Sequence, residues 1–165
     1  MQNTRKVTDD IVWVGCNDRR LTLFENLFPI PRGVSYNSYL VMDEKVTLLD
    51  TVDVCALQQF MENIDYVLGG KEIDYLIVQH MEPDHGAGIQ EMMRRFPNMK
   101  IVANAKTVQM IGQFFDLPKE DRVVLVKEGD TLTTGTHTFR FVMAPMVHWP
   151  EVMVTYEESE KVLFS

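Results

Sequence analysis

Short apolar runs alternating with helix-patterned stretches constrain this chain most, because each run must be covered on both faces and the intervening stretches supply the cover. Ile73-Asp74-Tyr75-Leu76-Ile77-Val78 is one such run, rich in β-branched and aromatic residues, as expected of a strand buried on both faces. Before it, Val54 to Leu68 places apolar residues at Leu57, Phe60, Met61, Ile64 and Leu68, spacings of three and four that fit one helix face. Asp53 suits the N-cap of that helix, and Gly69-Gly70 ends it. A helix ending near Phe96, a strand at 100–103, a helix from about Lys106 to Phe115 and a strand at 122–126 follow. The alternation predicts an α/β fold.

The amino-terminal part reads differently. Ile11–Gly15 and Ser35–Met42 have strand composition, and Asp43-Glu44-Lys45 joins the second run to Val46–Asp50 as a hairpin. After Lys127 no helix pattern remains. Strands are expected at 131–133, 138–143, 152–156 and 161–164, which form a second, antiparallel sheet region. The last of these reads as an unfinished strand, so the chain is expected to be cut within that sheet, leaving an open edge and a risk of aggregation. Nothing between the two regions resembles a linker, and 165 residues with 45% apolar content suffice for one core.

Chemistry concentrates where the strand 73–78 ends. Gln79-His80-Met81-Glu82-Pro83-Asp84-His85-Gly86 offers two imidazoles and two carboxylates within six residues. Pro83 disfavours helical geometry at Glu82, and Gly86 and Gly88 permit a tight path, which predicts a ligand loop before a helix starting near Gly88. Such a set can hold iron, zinc or manganese. A fifth candidate, His148, follows a strand and stands between Pro145 and Pro150. His137, in a Thr/Gly-rich turn, is a weaker candidate. Cys16 and Cys55 are read as buried free thiols rather than as a disulfide or metal ligands.

The formal net charge of −8, without clustered Lys or Arg, argues against nucleic acid as a partner. No signal-type region and no run near eighteen apolar residues occurs, so neither export nor membrane insertion is expected and a cytoplasmic location is.

His80-x-Glu82-x-Asp84-His85, the later His148, and Gly33-Val34-Ser35-Tyr36-Asn37-Ser38-Tyr39-Leu40 ahead of Leu48-Leu49-Asp50-Thr51 together resemble the N-terminal part of the flavodiiron proteins, or A-type flavoproteins, which include the flavorubredoxins. The resemblance implies a metallo-β-lactamase-like αββα sandwich, truncated here within the second sheet. Hydrolases of that fold carry a His where this chain has Glu82, and a carboxylate there shifts preference from zinc toward iron. By similarity, His80, Glu82 and His148 bind one iron and Asp84 and His85 the other. A bridging Asp expected about two residues past Ser165, and a later His, complete the family's set.

For a complete protein the resemblance implies reduction of dioxygen to water or of nitric oxide to nitrous oxide. FMN in a flavodoxin-like domain, absent from these residues, would resupply electrons drawn from rubredoxin or a flavin reductase, within a homodimer or tetramer. This chain alone is expected to be inactive. The alternatives are a zinc-dependent hydrolase of the same fold and a non-catalytic truncated product. Tyr36, Asn37 and Tyr39 are expected in core packing, while the resemblance puts Phe24 and Glu25 near the iron pocket without deciding which lines it.

Overall fold

In the computed structural model, residues 2–116 and 120–165 are described. A seven-stranded mixed sheet forms the centre, in the order Arg5–Lys6, Ile11–Trp13, Tyr39–Val41, Thr47–Leu49, Tyr75–Ile77, Lys100–Ala103 and Val123–Leu125. The first four strands pair antiparallel, and from Thr47–Leu49 onward the pairing is parallel. The switch falls where the sequence turns from hairpins to strand–helix alternation, since parallel neighbours need a helical crossover. The helices are α1 (Leu57–Leu68), the single turn α2 (Pro83–Gly86), α3 (Ile89–Arg95) and α4 (Ala105–Phe114).

One face of this sheet packs on the helices. Leu40, Leu48, Leu76 and Ile101 meet Phe60 and Ile64 of α1, Ile89 and Met92 of α3 and Ile111 of α4 in one apolar cluster. The other face, carrying Ile11, Val41, Leu49, Ile77 and Val102, packs on Phe139, Phe141, Met153 and Phe164 of a second sheet. That sheet is an antiparallel meander of Thr131–Thr133, Thr138–Met143, Met153–Glu157 and Val162–Phe164. Alternation in 138–143 turns Phe139 and Phe141 inward and leaves Val142 exposed, as period-2 geometry requires. Three layers of the expected αββα sandwich are thus present among the described residues, and the outer face of the second sheet is partly apolar, with Val142 and Leu163 exposed.

Several expectations need correction. The run 35–42 is not one strand: Val34–Tyr36 pairs with Cys16–Asp18 in a separate ribbon, and only Tyr39–Val41 joins the large sheet. At the break, Asn37 accepts a hydrogen bond from Trp13 Nε1 (3.0 Å) and the Ser38 hydroxyl donates to the Asp50 carbonyl (2.9 Å). Asp53 caps a short 3-10 turn, accepting from Cys55 N–H at 2.8 Å, and α1 starts only after it. Gly69, at φ 56, ends α1 as expected. Cys16 is buried, whereas Cys55 is exposed as a residue although its Sγ lies 3.5 Å from both the Tyr36 hydroxyl and Asp18 Oδ2.

The two sheets are also joined by a polar clamp. Asp43, in the hairpin before Thr47–Leu49, accepts from the hydroxyls of Thr134 (2.8 Å) and Thr136 (3.1 Å) and from the N–H groups of Thr136 (3.1 Å) and His137 (2.9 Å). Burial alone would raise the pKa of this carboxyl, but the converging donors outweigh it and hold the group well below the usual range. A depressed folded-state pKa means the stabilisation is complete above the unfolded value near about pH 4 and is lost as pH falls below it. Asp43→Asn is therefore expected to cost about 1–3 kcal/mol at neutral pH, and to flatten the acid limb below about pH 4. Urea unfolding across a pH series checks both.

Candidate metal centre

The site forms at the carboxyl ends of the two central strands, Thr47–Leu49 and Tyr75–Ile77, with a loop of the second sheet closing over it. Glu82 keeps extended geometry (φ −59°, ψ 145°) and Pro83 occupies the first position of α2, so the anticipated break at Glu82 is present. The segment is not purely a loop, however. Asp84 and His85 lie within the single turn α2, and α3 begins at Ile89 behind Gly88. Thr51 clamps this turn: its N–H (2.8 Å) and hydroxyl (2.6 Å) donate to the His85 carbonyl, and the hydroxyl accepts from Gly88 N–H (3.0 Å). A Cβ at residue 88 would lie 2.9 Å from Thr51 Cβ, which explains the glycine there.

Three of the five predicted residues converge. Glu82 Oε2 lies 3.0 Å from His80 Nε2 and 3.1 Å from His148 Nε2. One ligand atom from each falls within 4.8 Å of the others. His80 is buried, whereas the His148 side chain is 66% exposed on the loop between the strands 138–143 and 153–157. Asp84 and His85 form an adjacent pair, with Asp84 Oδ2 3.6 Å from His85 Nε2, and the His85 ring centre lies 5.2 Å from that of His80. Asp84 Oδ1 is buried without a hydrogen-bond partner. A buried acceptor left unpaired costs free energy unless a cation or water meets it.

Two carboxylates that sequence reasoning did not assign hold the imidazoles from behind. Glu151 Oε1 lies 2.7 Å from His80 Nδ1 and accepts from Met81 N–H at 2.9 Å. Asp50, at φ 54, directs Oδ1 to Gln79 N–H (2.7 Å) and Oδ2 to His85 Nδ1 (2.9 Å). Each carboxylate fixes one ring nitrogen as the N–H and leaves the other free to bind, the usual support of metal-binding histidines. Asp50 closes the Leu48-Leu49-Asp50-Thr51 run and Glu151 follows Pro150, so an acid at a strand end was the only available signal.

Burial alone would lower the pKa of His85, but the hydrogen bond and charge of Asp50, with Asp84 and Glu82 nearby, raise it to about 9. Burial pushes the Asp84 carboxyl upward, and Glu82 adds to the shift.

Among the secondary candidates, Tyr36 is buried in the helical-side core and Tyr39 packs edge-on to Phe164 between the sheets, as expected, whereas Asn37 is exposed and not in the core. Phe24 packs against the core, while Glu25 shares a partly apolar pocket with Met81, Pro83, Phe114 and Trp149 beside the site. Trp149 lies 5.1 Å, ring to ring, from His80. His137 belongs to a different cluster.

Glu151→Ala removes the acceptor for both His80 and Met81 N–H and is expected to destabilise the fold by about 3 kcal/mol, with Glu151→Gln costing less. Chemical denaturation of the metal-free variants measures the difference.

Comparison with known proteins agrees with this fold. The profile of the ODP family beta lactamases matches residues 34–165. The chain is 38% identical over 161 residues to an anaerobic nitric oxide reductase flavorubredoxin of Salmonella arizonae, covering 96% of this chain and 33% of the relative. An uncharacterized protein of Methanocaldococcus jannaschii is 33% identical, covering 97% of this chain and 40% of the relative. The rubredoxin oxygen:oxidoreductase of Desulfovibrio gigas superposes with a TM-score of 0.89 at 35% identity, covering 98% of this chain and 40% of that one. The flavodiiron protein of Giardia intestinalis gives 0.92 at 27% identity, covering 100% and 40%. These relatives are two and a half to three times as long as the chain, which spans only 33–40% of them. The chain belongs to the ODP family of beta lactamases and has the β-lactamase-like fold found in flavodiiron proteins.

Proposed function

We propose that this chain supplies the diiron-binding domain of a flavodiiron oxidoreductase, which reduces dioxygen to water, nitric oxide to nitrous oxide, or both. The observation that carries the reading is the placing of one Glu82 oxygen 3.0 and 3.1 Å from two imidazole nitrogens, His80 Nε2 and His148 Nε2. A carboxylate between two imidazoles is a donor set suited to iron. In this reading His80, Glu82 and His148 hold one iron, and Asp84 and His85 hold the second. Iron bound there supplies vacant coordination positions and electrons for a diatomic gas.

The chain's own residues do the positioning. Glu151 and Asp50 hold the His80 and His85 rings with the correct nitrogen facing the site. The unpartnered, buried Asp84 Oδ1 gives a second cation an oxygen already removed from water. Met81 and Trp149 form an apolar wall beside the pair, and Glu25 sets a third carboxylate near Glu82 and Asp84.

FMN in a flavodoxin-like domain outside these residues would resupply electrons, reduced in turn by rubredoxin or a flavin reductase. The assembly would be a cytoplasmic homodimer or tetramer. Relatives named as flavorubredoxin and rubredoxin oxygen:oxidoreductase support this arrangement, and no helix among the described residues is long and apolar enough to cross a membrane.

Anaerobic loading with ferrous iron, followed by desalting and metal analysis, tests the ligand set. Glu82→Ala and His148→Ala are expected to lower iron affinity at least about tenfold, and Asp50→Asn by about 10–100-fold through loss of ring orientation. His148→Ala should leave the melting temperature of the metal-free chain unchanged, since the ring is largely exposed. Retention of zinc alone with hydrolysis of a test ester, and no iron-dependent gas consumption by the longer protein, would overturn the reading in favour of a hydrolase.

A further inference from the structure

A second cluster of ligand-type residues stands apart from the proposed iron ligands. His137, Glu157 and Glu160 each place one ligand atom within 4.8 Å of the other two. His137 and Glu157 are almost completely buried, at 2% and 0% exposure, whereas Glu160 is exposed to solvent. His137 Nδ1 lies 3.1 Å from Glu157 Oε1, yet neither ring nitrogen makes an aligned hydrogen bond. That combination is informative. Two ligands sharing a tetrahedral ion at bond lengths of about 2.1 Å sit about 3.4 Å apart, each aimed at the ion and not at the other.

We propose that His137, Glu157 and Glu160 form a structural site for a divalent transition metal of the zinc class. His137 would bind through Nδ1, with Asp10 Oδ2 behind Nε2 at 3.6 Å in the place that Glu151 takes behind His80. Its ring is fixed by stacking on Phe139 (6.5 Å, 20° between planes) and its backbone N–H by Asp43. Glu157 is oriented by backbone N–H groups, Oε1 accepting from Ser159 (2.9 Å) and Oε2 from Glu160 (2.6 Å), and each oxygen keeps a lone pair. Among the described residues, the only ion-pair partner of this fully buried carboxylate is His137. A buried negative charge calls for a paired cation, and one imidazole and two carboxylates suit zinc or a neighbouring metal, with water completing the shell on the Glu160 side. Bound there, the ion joins the 134–137 turn to the 157–160 turn and, through Asp10 and Asp43, to the first sheet.

Zinc titration separates this site from the proposed iron site when performed on a Glu82→Ala/His148→Ala background, with calorimetry and thermal melting as paired readouts. One zinc per chain and a raised melting temperature are expected, because binding only the folded state stabilises it. Glu160→Ala should weaken zinc binding at least tenfold and remove most of the thermal shift. That substitution leaves the Glu160 N–H intact and removes an exposed side chain, so the metal-free fold is expected to survive. His137→Gln should abolish the site. The absence of zinc binding in the background variant, or affinity and thermal shift unchanged by Glu160→Ala, would overturn the proposal and leave His137–Glu157 as an ordinary buried ion pair.

Discussion

The carboxylate of Glu151 is the interaction on which the site's architecture depends. It is buried at 1% exposure, and a single oxygen meets both His80 Nδ1 and the N–H of Met81. Its own backbone carbonyl is held by the side chain of Asn104, the residue that also caps α4. One residue thus connects the loop of the second sheet, the end of the strand 75–77 and the start of α4. Without it, the loop carrying His148 has no polar anchor of this kind over the ligand-bearing turn, and the His80 ring loses the partner that selects its tautomer. Asp50 does the same on the other side, joining the ends of the two central strands through Gln79 and His85.

Much of this was legible in the sequence because it depends on local order. Helix α1 follows from Phe60, Ile64 and Leu68 at fourfold spacing, and the meander of the second sheet follows from alternation such as Thr138-Phe139-Arg140-Phe141. Four of the five candidate ligands lie within six residues, so their neighbourhood is guaranteed by the covalent chain. His148 is separated from them by more than sixty residues, and only family resemblance made it a strong candidate. The supporting acids were not legible for a physical reason. Glu151 contacts residues 70 and 71 positions away, and a single carboxylate creates no periodic signal.

The departures from expectation have two origins, hydrogen bonds made across the fold and short local turns. The run from Ser35 to Met42 has strand composition throughout, yet the Ser38 hydroxyl is drawn to the Asp50 carbonyl and Asn37 to Trp13, which separates it into pieces belonging to different sheets. Pro83 suggests a loop, but its missing N–H and fixed φ are equally suited to the first residue of a helical turn. Cys55 has apolar neighbours in sequence, but it lies in a 3-10 turn at the surface, with only its sulfur turned toward Tyr36 and Asp18. A tertiary contact decides the geometry of the 35–42 run, and a local turn decides it at Pro83 and Cys55.

The charge state of the metal-free site connects its architecture to its chemistry. Four carboxylates, Asp50, Glu82, Asp84 and Glu151, stand within 3.6 Å of three imidazoles, so protons must supply part of the missing positive charge. Asp50 accordingly holds His85 protonated to about pH 9, and burial makes Asp84 a weaker acid than usual. A metal ion entering the proposed ligand set replaces those protons instead of adding to an already balanced site. The outer carboxylates face the ring nitrogens that stay protonated, so they keep their hydrogen bonds throughout the exchange.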